Sequence, residues 1–373
     1  MKYYIIAGEA SGDLHGANLM KAIKLKDHDA DFRFWGGDLM KEHSSNIAMH
    51  YQDIAFMGFW EVITNLDKIL KNIKFCKNDI QAYQPQAIIF IDYPGFNMRI
   101  AKWAKAKKYI THYYISPQIW AWKENRIKAI KRDIDHLYVI LPFEKAFYEH
   151  KHQYKVDFVG HPLIDAIQTY DFQDEKEFKE ANNLLNKPIV ALLPGSRKQE
   201  IHKMLSIMMQ MATEYKAYQF VIAGAPGMSR ADYEPFLKKQ NMLLVENKTY
   251  NLLKISRAAL VTSGTATLET ALFEVPQVVC YKGNYLSYLI AKQIIKLKYI
   301  SLVNLIMDEE VVTELIQNEF NTNRLKQELQ KILNDTNAQR IRQKYLALKE
   351  KLGGKGASER TADLIVKNTH LKM

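Results

Sequence analysis

Cysteine is nearly missing from this sequence: only Cys76 and Cys280 occur in 373 residues, far apart and outside any CxxC. That scarcity excludes a disulfide framework and a cysteine zinc site, and it points to a reducing compartment. No run of 18 apolar residues exists, so no membrane-spanning helix is expected. The opening apolar run, Tyr3 to Ala7, is too short for the core of a secretion signal and leads into acidic residues. The Walker pattern GxxxxGK[ST] is absent, and the first glycine-rich turn is not GxGxxG, so neither a P-loop nor a standard dinucleotide fingerprint is present. No fixed-period repeat and no low-complexity tract occur. The histidines are scattered, and neither a metal site nor a cofactor is expected.

Positive charge is in excess, with 52 Lys and Arg against 41 Asp and Glu, a net charge of +11. Such an excess suits an anionic partner: nucleic acid, an anionic membrane surface or a phosphorylated substrate. It is concentrated between Arg99 and Arg132, where ten Lys or Arg face a single acidic residue, Glu124, for a local charge of +9. A run of this kind also fits plain solvated helix faces. Trp103, Trp120 and Trp122 lie within it, however, and tryptophan beside cations suits the headgroup level of a bilayer.

Hydrophobic content of 47% and charged content of 25% are those of an ordinary globular protein, and the length suits two domains of about 150 to 200 residues. Short β-rich runs alternate with helical stretches, which predicts an α/β fold of two Rossmann-like domains with parallel sheets facing a cleft. Strands are expected at Tyr3 to Ala7, Phe32 to Trp35, Ala87 to Ile91, Tyr109 to Ile115, Leu137 to Ile140 and Val156 to Val159. A second series follows at Ile189 to Leu193, Phe220 to Ala223, Leu243 to Val245, Ala259 to Thr262 and Gln277 to Cys280. The expected domains are 1–165 and 166–339, with helices of about 340–373 packing back on the first or on a partner chain of a possible homodimer.

Ligands of such folds sit beyond the carboxyl ends of the strands. After the first strand, Gly8 to Gly16 places Glu9, Ser11, Gly12, Asp13 and His15 at a helix start, where Ser11 or Asp13 equally suits a helix cap. Asp92 follows the apolar strand Ala87 to Ile91. A partly desolvated carboxylate there can take a proton from an attacking hydroxyl; the alternative is a cap for the helix beginning near Phe96. Ser116 to Trp122 follows the next strand, Tyr109 to Ile115, and leads into the basic helix, its two tryptophans expected on similar sides of an extended segment. In the second half, Leu193-Pro194-Gly195-Ser196-Arg197 sets an arginine after a strand, suited to phosphate or to a surface salt bridge. Ser263-Gly264-Thr265-Ala266-Thr267-Leu268-Glu269 gives hydroxyls and helix amides for a pyrophosphate, with Glu269 one turn further on, in reach of a ribose diol.

In order and spacing, AGEASGDLHGA (7–17), MGFWEV (57–62), IDYPGFN (91–97), YISPQIWAW (114–122), LPFEKAFY (141–148), FVGHPL (158–163), LLPGSR (192–197), SGTATLE (263–269) and SLVNLI (301–306) resemble the lipid-A-disaccharide synthase family of GT-B glycosyltransferases. The resemblance implies a cytoplasmic enzyme held peripherally on the inner membrane of a Gram-negative bacterium. It would join UDP-2,3-diacylglucosamine to 2,3-diacylglucosamine 1-phosphate, giving the β-1,6 disaccharide 1-phosphate and UDP without a metal or cofactor. Asp92 would be the base, and Arg197 with Ser196, Ser263, Gly264, Thr265, Ala266 and Thr267 would bind the UDP-sugar. Glu269 would hold the ribose, and Asn304 and Gln317 would line the nucleotide side. Asn97, Ser116 and His161 would join Glu9, Ser11, Gly12, Asp13 and His15 on the acceptor side. The family often has a second acid where this chain has Gly95, which leaves Asp92 as the sole carboxylate of its motif.

Acylated substrates call for docking on an anionic membrane surface, expected at Phe56, Met57, Phe59, Trp60 and Ile63, at Lys71 and Lys74 on the following helix, and at Trp120 and Trp122. An amphipathic helix packed on the core is the alternative for that stretch. Another GT-B enzyme acting on UDP-N-acetylglucosamine, a 2-epimerase or a peptidoglycan-type glycosyltransferase, would share the second-domain motifs. Nucleic acid is not expected as a partner, since no recognised nucleic-acid module is present.

Overall fold

A computed structural model describes residues 1–53, 66–240, 242–284 and 297–372. They form two compact units, one of Met1–Thr169 together with the chain from Leu352 onward, the other of Tyr170–Lys351. The sequence reading set the break at 165 and the return near 340; the chain leaves the first unit after Thr169 and comes back to it at Leu352.

The first unit is built on seven parallel strands in the order β3-β2-β1-β4-β5-β6-β7. They are β1 (Lys2–Ala7), β2 (Asp31–Gly36), β3 (Ile47–His50), β4 (Ala87–Ile91), β5 (Ile110–Tyr114), β6 (His136–Val139) and β7 (Asp157–Phe158). Five residues of β1 and all of β4 are buried, because helices cover both faces of the sheet and an apolar side chain suits either direction. Tyr4, Ile6, Ile88 and Phe90 point to one face. Helices α3 (Leu66–Tyr83), α4 (Pro94–Ala106) and α5 (Ile127–Asp133) pack there through Ile73, Ile80, Ile100, Ala104 and Ile130. Tyr3, Ile5, Ala87 and Ile89 point to the other face, against α1 (Ala10–Lys24) and the last helix, Ala357–His370.

Polar braces fix these layers. Asp79 of α3 receives two hydrogen bonds from Arg33 of β2, at 2.6 and 2.7 Å, and one from the Tyr4 hydroxyl at 2.6 Å. Tyr4 in turn accepts from the Trp35 indole at 2.9 Å. Removing one partner of such a half-buried charged set leaves the others unpaired, which is where its leverage on stability lies. The last helix is capped by Asp165, whose carboxylate accepts from the amides of Gly356 (2.6 Å) and Ser358 (2.9 Å). Its Thr369 lies 3.1 Å from Nε2 of the buried His112.

The second unit carries six parallel strands in the order β10-β9-β8-β11-β12-β13. These are β8 (Ile189–Leu193), β9 (Gln219–Gly224), β10 (Leu243–Glu246), β11 (Ser256–Thr262), β12 (Gln277–Tyr281) and β13 (Glu314–Ile316). Both units therefore have the expected doubly wound α/β form. Two edge strands, β3 and β13, were not expected: each is short and mostly half-buried, so neither shows the continuous apolar run that marks a central strand. In each sheet the chain order reverses once, between β1 and β4 in the first and between β8 and β11 in the second. Loops leaving such a pair diverge and open a crevice beyond the strand ends.

Candidate active site

The reversal point of the first sheet brings Ala7 of β1 beside Ile91 of β4, so the next residues of both strands share one crevice. Gly8, Glu9, Ser11, Gly12, Asp92 and Tyr93 line it. Asp92 and Tyr93 both take left-handed backbone, with φ of 43° and 48°, a conformation that costs non-glycine residues of order 1–3 kcal/mol each. The Asp92 carbonyl accepts from the Asn97 side-chain amide at 2.7 Å and from the Tyr113 hydroxyl at 2.6 Å. Burial, with the Glu9 carboxylate second, pushes the Asp92 carboxyl up to about 6. At neutral pH Asp92 is thus mostly ionised but far more basic than an ordinary carboxylate, as a general base requires.

The other acceptor-side candidates divide. Ser11 is exposed at the crevice, and a Cβ on Gly12 would sit 3.1 Å from that of Ala7, so the glycine allows α1 its close approach to β1. Asp13 does not face the crevice as a free group. Its carboxylate accepts from the amides of Gly37 (2.7 Å), Leu39 and Met40 (both 3.1 Å), capping the short helix α2 (Asp38–Lys41). Asn97 is fully buried and holds main-chain carbonyls, so it shapes the Asp92 turn and is not an exposed contact. His15 and His161 are buried and neutral. Desolvation pushes His15 down to about 4, against the opposing charge of Asp165, and His161 down to about 3, with His15 adding to the effect. Nδ1 of His161 caps helix α7 (Pro162–Gln168) by accepting from the Leu163 amide at 3.2 Å. Nδ1 of His15 has no partner among the described residues.

Ser116 is buried and donates to Glu144 at 2.6 Å. Glu144, on helix α6 (Pro142–Ala146, following β6), also accepts from the Trp120 indole at 3.3 Å and from the amides of Ile140 and Leu141. Burial outweighs these bonds and pushes its carboxyl up to about 7. The pull of Glu144 separates the two tryptophans, which the extended-segment reading had put on similar sides. Trp120 turns inward, edge-on to Phe143, whereas Trp122 is 53% exposed with the Lys123 ammonium 3.9 Å above its ring. Lys71 and Lys74 of α3 are exposed beside Leu70 and Phe75. Phe56, Met57, Phe59, Trp60 and Ile63 lie outside the described residues.

The reversal point of the second sheet pairs Leu193 of β8 with Val261 of β11. Gly195, at φ 102°, leads into Ser196 and Arg197, both exposed. A Cβ at Gly195 would meet Glu200 at 2.7 Å. Arg197 reaches Glu200 at 2.9 Å with its side chain 71% exposed, a pair weak enough for an anion to claim the guanidinium at little cost. Ser263 donates to the Ile300 carbonyl at 3.0 Å, and Thr267 to the Gly264 carbonyl at 2.8 Å. Among the described residues no atom beyond its chain neighbours lies within 4 Å of a Cβ placed on Gly264, so the start of helix Thr265–Leu272 opens beside it, with Thr265 exposed and Ala266 half-buried. Glu269, one turn in, is pushed up to about 7 by burial, partly offset by a hydrogen bond from Tyr250 at 3.4 Å.

Asn304 departs from expectation. Its amide donates to Val312 O and Glu314 and accepts from the amides of Val311 and Val312, at 2.8 to 3.0 Å. All four side-chain bonds are spent, so Asn304 braces the 301–314 segment, which includes helix Leu302–Met307, and its side chain has none left for a nucleotide. Gln317 differs: it is buried, left-handed at φ 53°, and its Nε2 has no partner among the described residues. Tyr113, Glu144, Tyr250 and Glu314 were missed. Three lie in runs that read as ordinary core or helix, and Glu314 falls in the unexpected strand β13.

The profile of the lipid-A-disaccharide synthetase family matches residues 3–367. The lipid-A-disaccharide synthase of Trichlorobacter lovleyi is 36% identical over 97% of this chain and 96% of its own length. That of Syntrophus aciditrophicus is 38% identical over 96% and 95%. Among solved structures, S. aureus MnaA with UDP has a TM-score of 0.71 at 14% identity, covering 99% of this chain and 97% of its own. The UDP-GlcNAc 2-epimerase of Neisseria meningitidis bound to UDP-GlcNAc has 0.67 at 14%, covering both chains fully. At that identity the structural neighbours share the fold.

The crevice predicts a titration. Followed by carboxyl NMR, Asp92 should titrate near pH 6, and Glu9→Gln should move its midpoint down while burial keeps it above the ordinary value of 3.8. A wild-type midpoint near 4, or no movement in Glu9→Gln, would contradict this account of the site.

Proposed function

The chain belongs to the lipid-A-disaccharide synthetase family, and from that premise we propose a division of labour between its two reversal points. The enzyme is a glycosyltransferase that makes the lipid A disaccharide. The 2-epimerase and peptidoglycan-type alternatives are not favoured, because the family match covers nearly the whole chain whereas the epimerases share only the fold. Its donor is UDP-2,3-diacylglucosamine and its acceptor 2,3-diacylglucosamine 1-phosphate.

Asp92 is the base. Its carboxylate takes the proton of the acceptor 6-hydroxyl as that oxygen bonds to the anomeric carbon of the donor. The bond from that carbon to the diphosphate breaks, and UDP leaves with the electron pair. Direct displacement inverts the anomeric centre, giving the β-1,6 linkage. Arg197 and the helix start at Thr265 meet the negative charge that grows on the diphosphate. Glu269, once ionised, accepts the two ribose hydroxyls, and the spare amide of Gln317 serves the nucleotide. The observation that carries this reading is the buried, strained Asp92 turn at the reversal point of the first sheet.

The enzyme works peripherally on the cytoplasmic face of the inner membrane, through the face of the first unit that carries α3, α4 and α5. Support comes from charge and exposure: Trp122 with Lys123 on its ring, and Leu70 and Phe75 among Lys71 and Lys74. No helix among the described residues is long and apolar enough to cross a membrane. Anionic lipid attracts such cations by about 1 kcal/mol for each one near the surface. A homodimer remains part of the proposal through the C-terminal helices, for which gel filtration with light scattering is the test: a dimer mass supports it and a monomer mass removes it.

Asp92→Asn should abolish turnover while UDP still binds, and Arg197→Ala should lose transfer. The wild-type rate should fall on an acid limb near pH 6, where the raised carboxyl becomes protonated. Full activity of Asp92→Asn, or an acid limb near 4, would remove it as the base. In flotation with vesicles containing phosphatidylglycerol, the protein should bind at low salt, and Trp122→Ala should weaken binding severalfold; equal binding to neutral vesicles would defeat the electrostatic part.

A further inference from the structure

The geometry points to Tyr113 as a positioning residue for the reaction: from β5 its hydroxyl clamps the strained turn that aims Asp92. The inference rests on Asp92 being the base.

The turn is held from several sides. Its carbonyl takes two donors, the Tyr113 hydroxyl at 2.6 Å and the Asn97 amide at 2.7 Å. Its amide donates to the Tyr114 carbonyl at 3.1 Å, extending the β4–β5 ladder by one residue. The Tyr93 ring lies so close to Gly8 that a Cβ there would fall 2.4 Å from the ring, and the ring also stacks on Phe96 at 5.6 Å. Two successive left-handed non-glycine residues persist only where their surroundings over-determine them. Here those surroundings are the end of β1, β5 and α4, and Asn97 of α4 also reaches the Ile6 carbonyl of β1 at 3.4 Å.

Tyr113 is the member that joins the turn to β5 through a side chain: its hydroxyl donates to the Asp92 carbonyl, with the Asn97 amide beside it. Its ring is fully buried in the sheet core, packed 5.8 Å from Phe90. A phenylalanine would fill the same core, so the hydroxyl is not needed for packing. Burial raises its ionisation well above the ordinary phenol range, so it stays a donor at any working pH. The bond it makes ends on the main chain of Asp92 and leaves the carboxylate untouched. Tyr113 therefore contacts neither substrate and acts through the placement of Asp92, and misplacing a reacting group by an ångström costs about a hundredfold in rate.

The test is steady-state kinetics on full-length Tyr113→Phe, Asp92→Asn and the double variant, with Gly8→Ala as an independent disturbance of the same turn through Tyr93. Tyr113→Phe should lower kcat by about 10- to 100-fold with KM for both substrates within about threefold of wild type. Its acid limb should move below that of wild type, as water reaches a loosened carboxyl. The double variant should be no slower than Asp92→Asn alone, because both act on one group. Gly8→Ala should reproduce the kcat loss and the limb shift even if Tyr113→Phe folds poorly. If Asp92→Asn is inactive while Tyr113→Phe and Gly8→Ala keep kcat within twofold and an unmoved limb, the base stands and the clamp is wrong. If Asp92→Asn turns over normally, the base reading itself fails, and the clamp with it.

Discussion

One constraint governs this protein: a parallel sheet whose strand order reverses must send two neighbouring loops in opposite directions. In the first sheet this occurs between β1 and β4, in the second between β8 and β11. The strands leading there are buried on both faces and have little freedom to shift, so the residues just beyond Ala7, Ile91, Leu193 and Thr262 are held by rigid supports. Glu9 and Asp92 occupy one such place; Arg197 and the Ser263 turn occupy the other. The proposed chemistry follows that division, with proton removal assigned to the first unit and charge stabilisation to the second.

The constraint has an energetic consequence. Loops at a reversal point are where buried polar groups and unusual backbone collect, and the site shows both. Asp92 sits in left-handed backbone with its carboxyl raised to about 6, and Glu269 is raised to about 7; Glu144, after β6 and away from the reversal point, is also raised to about 7. Their settings differ. Glu144 has four donors and fixes the path of the 116–120 segment. Among the described residues Glu269 has one long hydrogen bond, from Tyr250, which leaves the capacity that its proposed ribose role needs. Counting satisfied bonds thus places Asn304 and Asp13 with Glu144 among the groups that brace the structure.

Much of this was legible in the chain. Runs such as Ala87 to Ile91 and Ile189 to Leu193 read as central strands because they are apolar without alternation, and an acid or arginine just after such a run stands out. What could not be read depends on contacts between distant residues. Asp13 caps a helix that begins 25 positions later, so it resembles any acid at a helix start. Tyr113 sits inside a run indistinguishable from core, and the value of its hydroxyl depends on a carbonyl 21 positions away. Two tryptophans two residues apart look equivalent until Glu144, from the helix after β6, draws one of them inward. Periodicity reports which side of an element is buried, but not which buried polar atom meets which.

The central claim is transfer between two sugars, and acceptor-dependent release of UDP tests it most directly. Purified protein given UDP-2,3-diacylglucosamine should release UDP only when 2,3-diacylglucosamine 1-phosphate is added, with one disaccharide formed for each UDP. Release of UDP without acceptor, or conversion of the donor with no UDP released, would contradict the account.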